Sequence, residues 1–355
     1  MSRVSRRRLL AATGAGIAAA AAFPAPRLWA QGDFMAPARL RAGLTPYISS
    51  GPAMIAEAKG YFAKMNLTVE TTSYVDGSLS MPSLAAGELD IAGATISAGL
   101  FNLVSKGTGI KLFMERGREA PGWGSNAILV SNALHEKGFT NLAGYKFAKG
   151  QKIGISSRGS VAHYLHTIAL QKAGLTVDDV DWQWGMDPRV SLPLMKQNSI
   201  GIINLPLPGA YAAEKQGIGR VVTWSDEIDP NFVLACSAAS TKLLTERNDA
   251  VVRFIMAIMQ ANKDYMDCAK NGDPEILKIM AEGTKLPVPI IDETRPRWTF
   301  MVLDGQPNIP SIMAQQKYWH EKTDLLVKPV TEAQLFDLKA IAEARKRLDD
   351  KNPFI

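Results

Sequence analysis

Ser157, Arg158, Gly159 and Ser160 stand between a short apolar stretch, Lys152-Ile153-Gly154-Ile155, and a helical pattern running from Val161 to Lys172. Two hydroxyls, a guanidinium and a residue small enough for close backbone approach are groups suited to holding a small acid. A helix start adds N–H groups without intrahelical partners and the positive end of the aligned peptide dipoles. The chemistry on offer is anion binding. The competing reading of the same residues is that Ser160 only caps a helix and Arg158 is a solvated surface charge.

For these groups to be positioned, the flanking segments must be a strand and a packed helix. Val161, Tyr164, Leu165, Ile168 and Ala169 recur at helical spacing, and Gly174 closes the pattern. Similar units precede it. Arg39 to Leu44 reads as a strand, Pro52 opens a helix with Ile55, Ala58 and Phe62 on its buried face, and Leu67 to Thr72 alternates as the next strand. Leu89 to Gly93 and Ile110 to Met114 read as strands around a helix from Thr95 to Lys106. A second series follows: strands at Ala127 to Val130, Val177 to Trp184, Ile200 to Leu205 and Arg220 to Trp224, then Phe232 to Ser237, which carries the chain back. Helices are expected over Val190 to Gln197, Asn248 to Ala269, Pro274 to Glu282, Ile309 to Lys322 and Glu332 to Leu348. This alternation predicts an α/β fold with parallel, doubly wound sheets, whose ligand crevice lies beyond the strand C-terminal ends. The residues just past those ends are Tyr47, Ser49, Ser50, Thr95, Ile96, Ser97 and Arg116.

The N-terminal thirty residues read as an export leader. Ser5-Arg6-Arg7-Arg8-Leu9-Leu10 is a twin-arginine pattern, followed by an Ala/Gly-rich run and a cut expected after Ala30. The run is too short and too weakly apolar to be read as a membrane span. Removing Arg3, Arg6, Arg7, Arg8 and Arg27 takes the formal charge from +6 to about +1, which removes the support for nucleic-acid binding.

Other chemistries find little here. The cysteines, Cys236 and Cys268, are as readily a disulfide as two buried thiols; a bridge would close about thirty residues and stabilise by about 3 to 4 kcal/mol. His163 and His166 lack carboxylate or thiolate partners at metal spacing, so no metal or other cofactor is expected. No cysteine precedes Cys236, and Ile155-Ser156-Ser157-Arg158-Gly159 lacks the first glycine of a nucleophile elbow, so the chain is not expected to be an enzyme.

Three stretches carry a family resemblance: Ala56-Glu57-Ala58-Lys59-Gly60-Tyr61-Phe62-Ala63-Lys64, Leu84-Ala85-Ala86-Gly87-Glu88-Leu89-Asp90-Ile91-Ala92-Gly93, and Gly159-Ser160-Val161-Ala162-His163-Tyr164-Leu165. Over roughly residues 38 to 270 the chain resembles periplasmic substrate-binding proteins of the sulfonate, taurine and nitrate ABC importers, and the thiamine-pyrimidine precursor binders. The resemblance implies a type II periplasmic binding protein with two hinge crossovers and a helical C-terminal region. Lobe 1 would span 38–125 and 237–355, and lobe 2 would span 126–236. It also implies a monomer that closes on a small-molecule ligand and delivers it to an inner-membrane permease with its ATPase. The expected jaws are Tyr47, Ser49 and Ser50 with Thr95, Ile96 and Ser97 on one side, and Ser157, Arg158, Gly159 and Ser160 with Leu207 and Pro208 on the other. Trp123, Ser125 and Trp184 complete the expected site.

The chain departs from that pattern in two places. Asn204-Leu205-Pro206-Leu207-Pro208 replaces the usual acidic, aromatic and proline sequence, and Gln183-Trp184-Gly185-Met186-Asp187-Pro188 puts Trp and Met in a cleft loop. Both make the wall more apolar, favouring an organic acid, sulfonate or carboxylate, with a hydrophobic or aromatic body over a bare inorganic anion. Alternatives left open are a neutral pyrimidine precursor, a sensory role at a receptor, and an enzyme of the same fold such as a sulfinate hydrolase.

Overall fold

Among the described residues, ten strands alternate with helices along the chain. In order they are β1 (Ala38–Leu44), β2 (Leu67–Ser73), β3 (Ile91–Thr95), β4 (Ile110–Glu115), β5 (Asn126–Val130), β6 (Lys152–Gly154), β7 (Asp181–Gln183), β8 (Ile202–Pro206), β9 (Arg220–Trp224) and β10 (Ala235–Ser240). The computed structural model describes residues 34–354, so the expected twin-arginine leader lies outside the described residues. From Pro37 onward the chain forms one compact unit.

The strands make two five-stranded sheets, ordered β2-β1-β3-β10-β4 and β7-β6-β8-β5-β9. β1 is parallel to β2 and β3, and β6 is parallel to β7 and β8. The sheets are mixed, however, where the sequence pattern suggested parallel ones throughout. β5 runs antiparallel to β8 and β9, and β10 antiparallel to β3 and β4. The physical reason is connectivity: each is the strand by which the chain enters a sheet from the other one, so it arrives from the opposite end. Their side chains reflect placement inside the sheets; all five residues of β5 are buried, as expected of a strand covered on both faces, whereas edge strand β2 is exposed along its second half.

Two chain segments run between the sheets, one between β4 and β5 and one between β9 and β10, and they pair with each other. Arg116 N–H donates to the Ala235 carbonyl at 2.9 Å, Leu234 N–H to Gly117 at 3.0 Å, and Glu119 N–H to Phe232 at 3.0 Å. The fully buried Glu119 carboxylate ties the two segments, accepting from the Ser125 hydroxyl at 2.7 Å and also from the Ser225 hydroxyl. The C-terminal region braces the same crossing: Arg118 N–H donates to the Phe300 carbonyl at 3.0 Å and Arg297 pairs with Asp226 at 3.2 Å.

The helix at Val161–Lys172 forms where its pattern predicted, with Ser160 Oγ accepting from His163 N–H as its cap. Helices at Asn248–Asn271, Pro274–Thr284 and Ile309–Glu321 match the expected segments, and the long one buries Val252, Phe254, Ile255 and Ile258. The last expected helix is split into Glu332–Leu335 and Lys339–Asp350, because Phe336 leaves the helical path to bridge Leu112 of β4. The strand expected over Val177 to Trp184 shortens to β7, preceded by a turn that Thr176 and Asp179 cap reciprocally.

Candidate functional site

The C-terminal ends of the parallel strands in both sheets face a common cavity of about 100 Å³ that opens to solvent. Loops after β1, β2 and β4 supply Tyr47, Asp76 and Arg116, and the segments after β6, β7 and β8 supply Ser156, Met186 and Leu207. Its lining, largely apolar with a few convergent polar groups, is that of a small-molecule site.

Arg116 is the cation of this cavity. It follows the last residue of β4, so its side chain reaches across the sheet end, where Gly93 of β3 leaves room for it: a Cβ there would lie 1.7 Å from Arg116 Nη1. Nη2 donates to Ser50 Oγ at 3.2 Å. Among the described residues no carboxylate comes within 4.0 Å of its guanidinium, while neighbouring Arg118 is held bidentately by Glu115 at 2.6 and 2.9 Å. Burial pushes the Arg116 pKa down to about 10, leaving it charged at neutral pH. A half-buried cation with no protein carboxylate beside it among the described residues suits a site that receives an anion from outside. Close by, Thr95 Oγ1 is buried without a protein partner among the described residues.

The rest of the wall mixes polar and apolar groups. Tyr47 donates to the Val75 carbonyl at 2.9 Å, and burial, reinforced by Asp76 and Asp187, pushes its pKa up to about 12, so it remains a neutral phenol. Val161, Met186, Leu205, Leu207 and Leu234 provide the apolar surface. Three contacts bridge the cavity from one sheet's side to the other: Ser156 Oγ donates to Asp76 Oδ2 at 2.7 Å, Ile48 N–H to the Leu207 carbonyl at 3.4 Å, and Ala98 N–H to the Gly159 carbonyl at 3.1 Å.

Of the residues expected from sequence, Tyr47, Ser49, Ser50, Thr95, Ser125 and Leu207 line this cavity. Arg158 does not. Its guanidinium pairs with Asp324 at 2.8 Å on an exposed surface, and it lines a separate outer recess together with Trp184, which stacks on Trp182 at 5.5 Å. Ile96 and Ser97 lie buried behind the wall, Ser97 capping the helix at Ala98–Ser105, and Ser160 is likewise a buried cap. Ser157 reaches toward Asp76 at 3.5 Å, Gly159 serves as the bridging carbonyl, Pro208 follows Leu207 without lining the cavity, and Trp123 packs edge-on to Phe300 at 6.0 Å. Sequence reasoning placed Arg116 at a strand end without assigning it to the site. It missed Asp76 and Asn126, for which polar residues near strand ends were the available signal, and took Asn204 only as part of an apolar wall segment.

The remaining reactive groups are occupied structurally. Cys236 is sealed within β10 between β3 and β4, where burial raises its thiol pKa, and Cys268 is a second buried free thiol pushed up to about 11. His163 Nδ1 accepts from Gly159 N–H at 3.1 Å, and His166 Nδ1 meets the Tyr145 hydroxyl at 2.7 Å.

A family model described as NMT1-like matches residues 35–281. The chain belongs to the NMT1-like family. A Brucella abortus relative, named as a candidate binding protein, is 27% identical over 221 residues, covering 61% of this chain and 64% of its own length. This member of the family also shares its fold with solved periplasmic binding proteins. The nitrate-binding protein NrtA from Synechocystis PCC 6803 superposes with a TM-score of 0.72 at 15% identity, over 88% of this chain and 90% of that one. The alkanesulfonate-binding protein SsuA from Xanthomonas axonopodis pv. citri, solved bound to MOPS, gives 0.66 at 19% identity over 87% and 98%. The fold is therefore that of the periplasmic binding proteins, as the resemblance implied.

Proposed function

We propose that this NMT1-like protein is an exported solute-binding protein that captures a small organic acid between two lobes and delivers it to an inner-membrane ABC permease and its ATPase. The lobes would be residues 38–125 with 237–355, and residues 126–236. The observation that carries the reading is the Arg116 guanidinium, charged, partly desolvated and without a carboxylate partner among the described residues, lining a cavity with a largely apolar wall. The structural neighbours NrtA, a nitrate-binding protein, and SsuA, an alkanesulfonate-binding protein, support the same class of work.

The work is differential binding, and this reading needs no bond made or broken. An acid group would take charge-assisted hydrogen bonds from Arg116, each worth about 1.5 to 3 kcal/mol, with Thr95 and Ser50 beside it. A hydrophobic body would lie against Leu205, Leu207 and Met186; each 100 Å² of apolar surface removed from water adds on the order of 2.5 kcal/mol. That second contribution favours organic acids over nitrate. The bridges Ser156 to Asp76 and Ile48 to Leu207 would form as the lobes close, so bound ligand and closed cleft stabilise each other.

The test is a thermal-shift panel on the purified full chain with aryl and alkyl sulfonates, matching carboxylates and nitrate. A ligand at a hundred times its dissociation constant stabilises the folded state by about 2.7 kcal/mol. A stabilising organic acid whose effect vanishes in Arg116→Ala is the expected result; no stabilisation by any acid would remove the reading.

A further inference from the structure

Resting on that reading, we infer that the solute is a zwitterion: an acid that also carries an ammonium group. The cavity contains three charged side chains, Arg116, Asp76 and Asp187, and they are not equivalent. Asp187 is neutralised within its own loop, where Arg189 holds Oδ2 at 2.8 Å and donates its N–H to Oδ1 at 2.7 Å. Asp76 has no such partner. Its Oδ1 accepts from Ser78 N–H at 2.9 Å and the Ser78 hydroxyl at 2.8 Å, and its Oδ2 from the hydroxyls of Ser156 at 2.7 Å and Ser157 at 3.5 Å. All are neutral donors, and among the described residues no Lys, Arg or His nitrogen lies within 4.0 Å of it.

Arg116 and Asp76 are thus one cation and one anion in the same cavity, neither paired with the other nor with a third group among the described residues. The backbone holds them apart. Between them runs the end of β3, where Gly93 receives Arg116 on its Cα side while its carbonyl abuts Gly77, the neighbour of Asp76; a Cβ on Gly77 would meet that carbonyl oxygen at 2.5 Å. The two charges therefore flank a single strand end of one cavity.

A plain acid bound at Arg116 would leave Asp76 uncompensated and bring a second negative charge near it. An acid with an ammonium group satisfies both poles, and it enters as a neutral whole. Asp76 is on this account the residue that sets specificity, since the acid alone is recognised by Arg116.

Calorimetry at pH 7 with matched ligand pairs tests this: 4-methylbenzoate against 4-(aminomethyl)benzoate, and hexanoate against 6-aminohexanoate. The amine-bearing member should bind at least tenfold more tightly to the wild-type chain. Asp76→Asn should bring each pair to within twofold, whereas Ser156→Ala, which keeps the carboxylate, should retain the preference. The wild-type ranking decides the matter even where a variant does not fold. Plain acids that bind as tightly as their amine-bearing partners overturn the zwitterion and leave the acid reading intact. No binding by either member of either pair, tight binding that survives Arg116→Ala, or preference for a neutral aminopyrimidine overturns the acid reading and the zwitterion with it.

Discussion

The guanidinium of Arg116 occupies the volume that a side chain at position 93 would need: a Cβ on Gly93 would lie 1.7 Å from Nη1 and 2.9 Å from Cζ. Because the obstructing atoms belong to the far end of a flexible side chain, Gly93→Ala should fold while evicting the guanidinium from its position. Acid affinity is expected to fall at least tenfold, with the melting temperature changed by no more than a few degrees. Calorimetric titration beside differential scanning calorimetry checks both, and wild-type affinity in this variant would deny Arg116 its role.

Arg158 offers the contrast. Its pair with Asp324 is exposed on both sides, and such pairs contribute about 0 to 1 kcal/mol. Arg158→Ala should leave acid affinity within twofold of wild type and stability nearly unchanged. A tenfold loss of affinity would return Arg158 to the site.

Ser156→Ala removes one of the bridges across the cavity and leaves Asp76 its contact with Ser78. Closure should be weakened, because the lost donor served a carboxylate. Small-angle scattering with saturating ligand should show a larger radius of gyration than wild type, and affinity should drop by about tenfold. Identical scattering and affinity would show that the bridge contributes nothing to closing.

Acid should destabilise the fold through its histidines. Burial, then the Arg158 charge, pushes His163 down to about 4, and burial, then His163, pushes His166 down to about 3. In the unfolded chain both take up protons near pH 6.5, so that state binds more protons below this value. Stability should hold above about pH 6.5 and decline as the pH falls from there toward 4, by on the order of 3 kcal/mol from His163. Denaturant melts across this range should show the decline, and His163→Gln should flatten it. An equal slope in the variant would assign the effect elsewhere.

Cys236 and Cys268 are buried free thiols with raised pKa values, so neither should react with a maleimide in the native protein and both should react after denaturation without reductant. Failure of the denatured chain to react would reveal an oxidised pair.

Much of the fold was readable from local pattern. Helix Val161–Lys172 and strand Arg220–Trp224 appear where periodicity placed them, and most other strands shift by one or two residues. What local pattern lacks is direction and partnership. Nothing in Asn126–Val130 or Ala235–Ser240 announces that these strands run against their neighbours, since direction depends on where the chain has come from. The same limit separated the two arginines. Arg158 and Arg116 both follow strands, and only the arrival of Asp324, 166 positions later in the chain, makes one of them a surface ion pair. Phe336 leaves the helical path for an equally distant reason, the backbone of Leu112.

The placement of β10 carries a consequence for how the nascent chain matures. Among the described residues β4 has no partner strand in its sheet other than β10, and β10 sits between β3 and β4, more than a hundred residues after them. Until residue 240 has emerged, the native pairings of β10 with β3 and β4 cannot form, and they become available only after the whole second sheet has been made. Completion of the front half of the fold is therefore timed by synthesis of the back half.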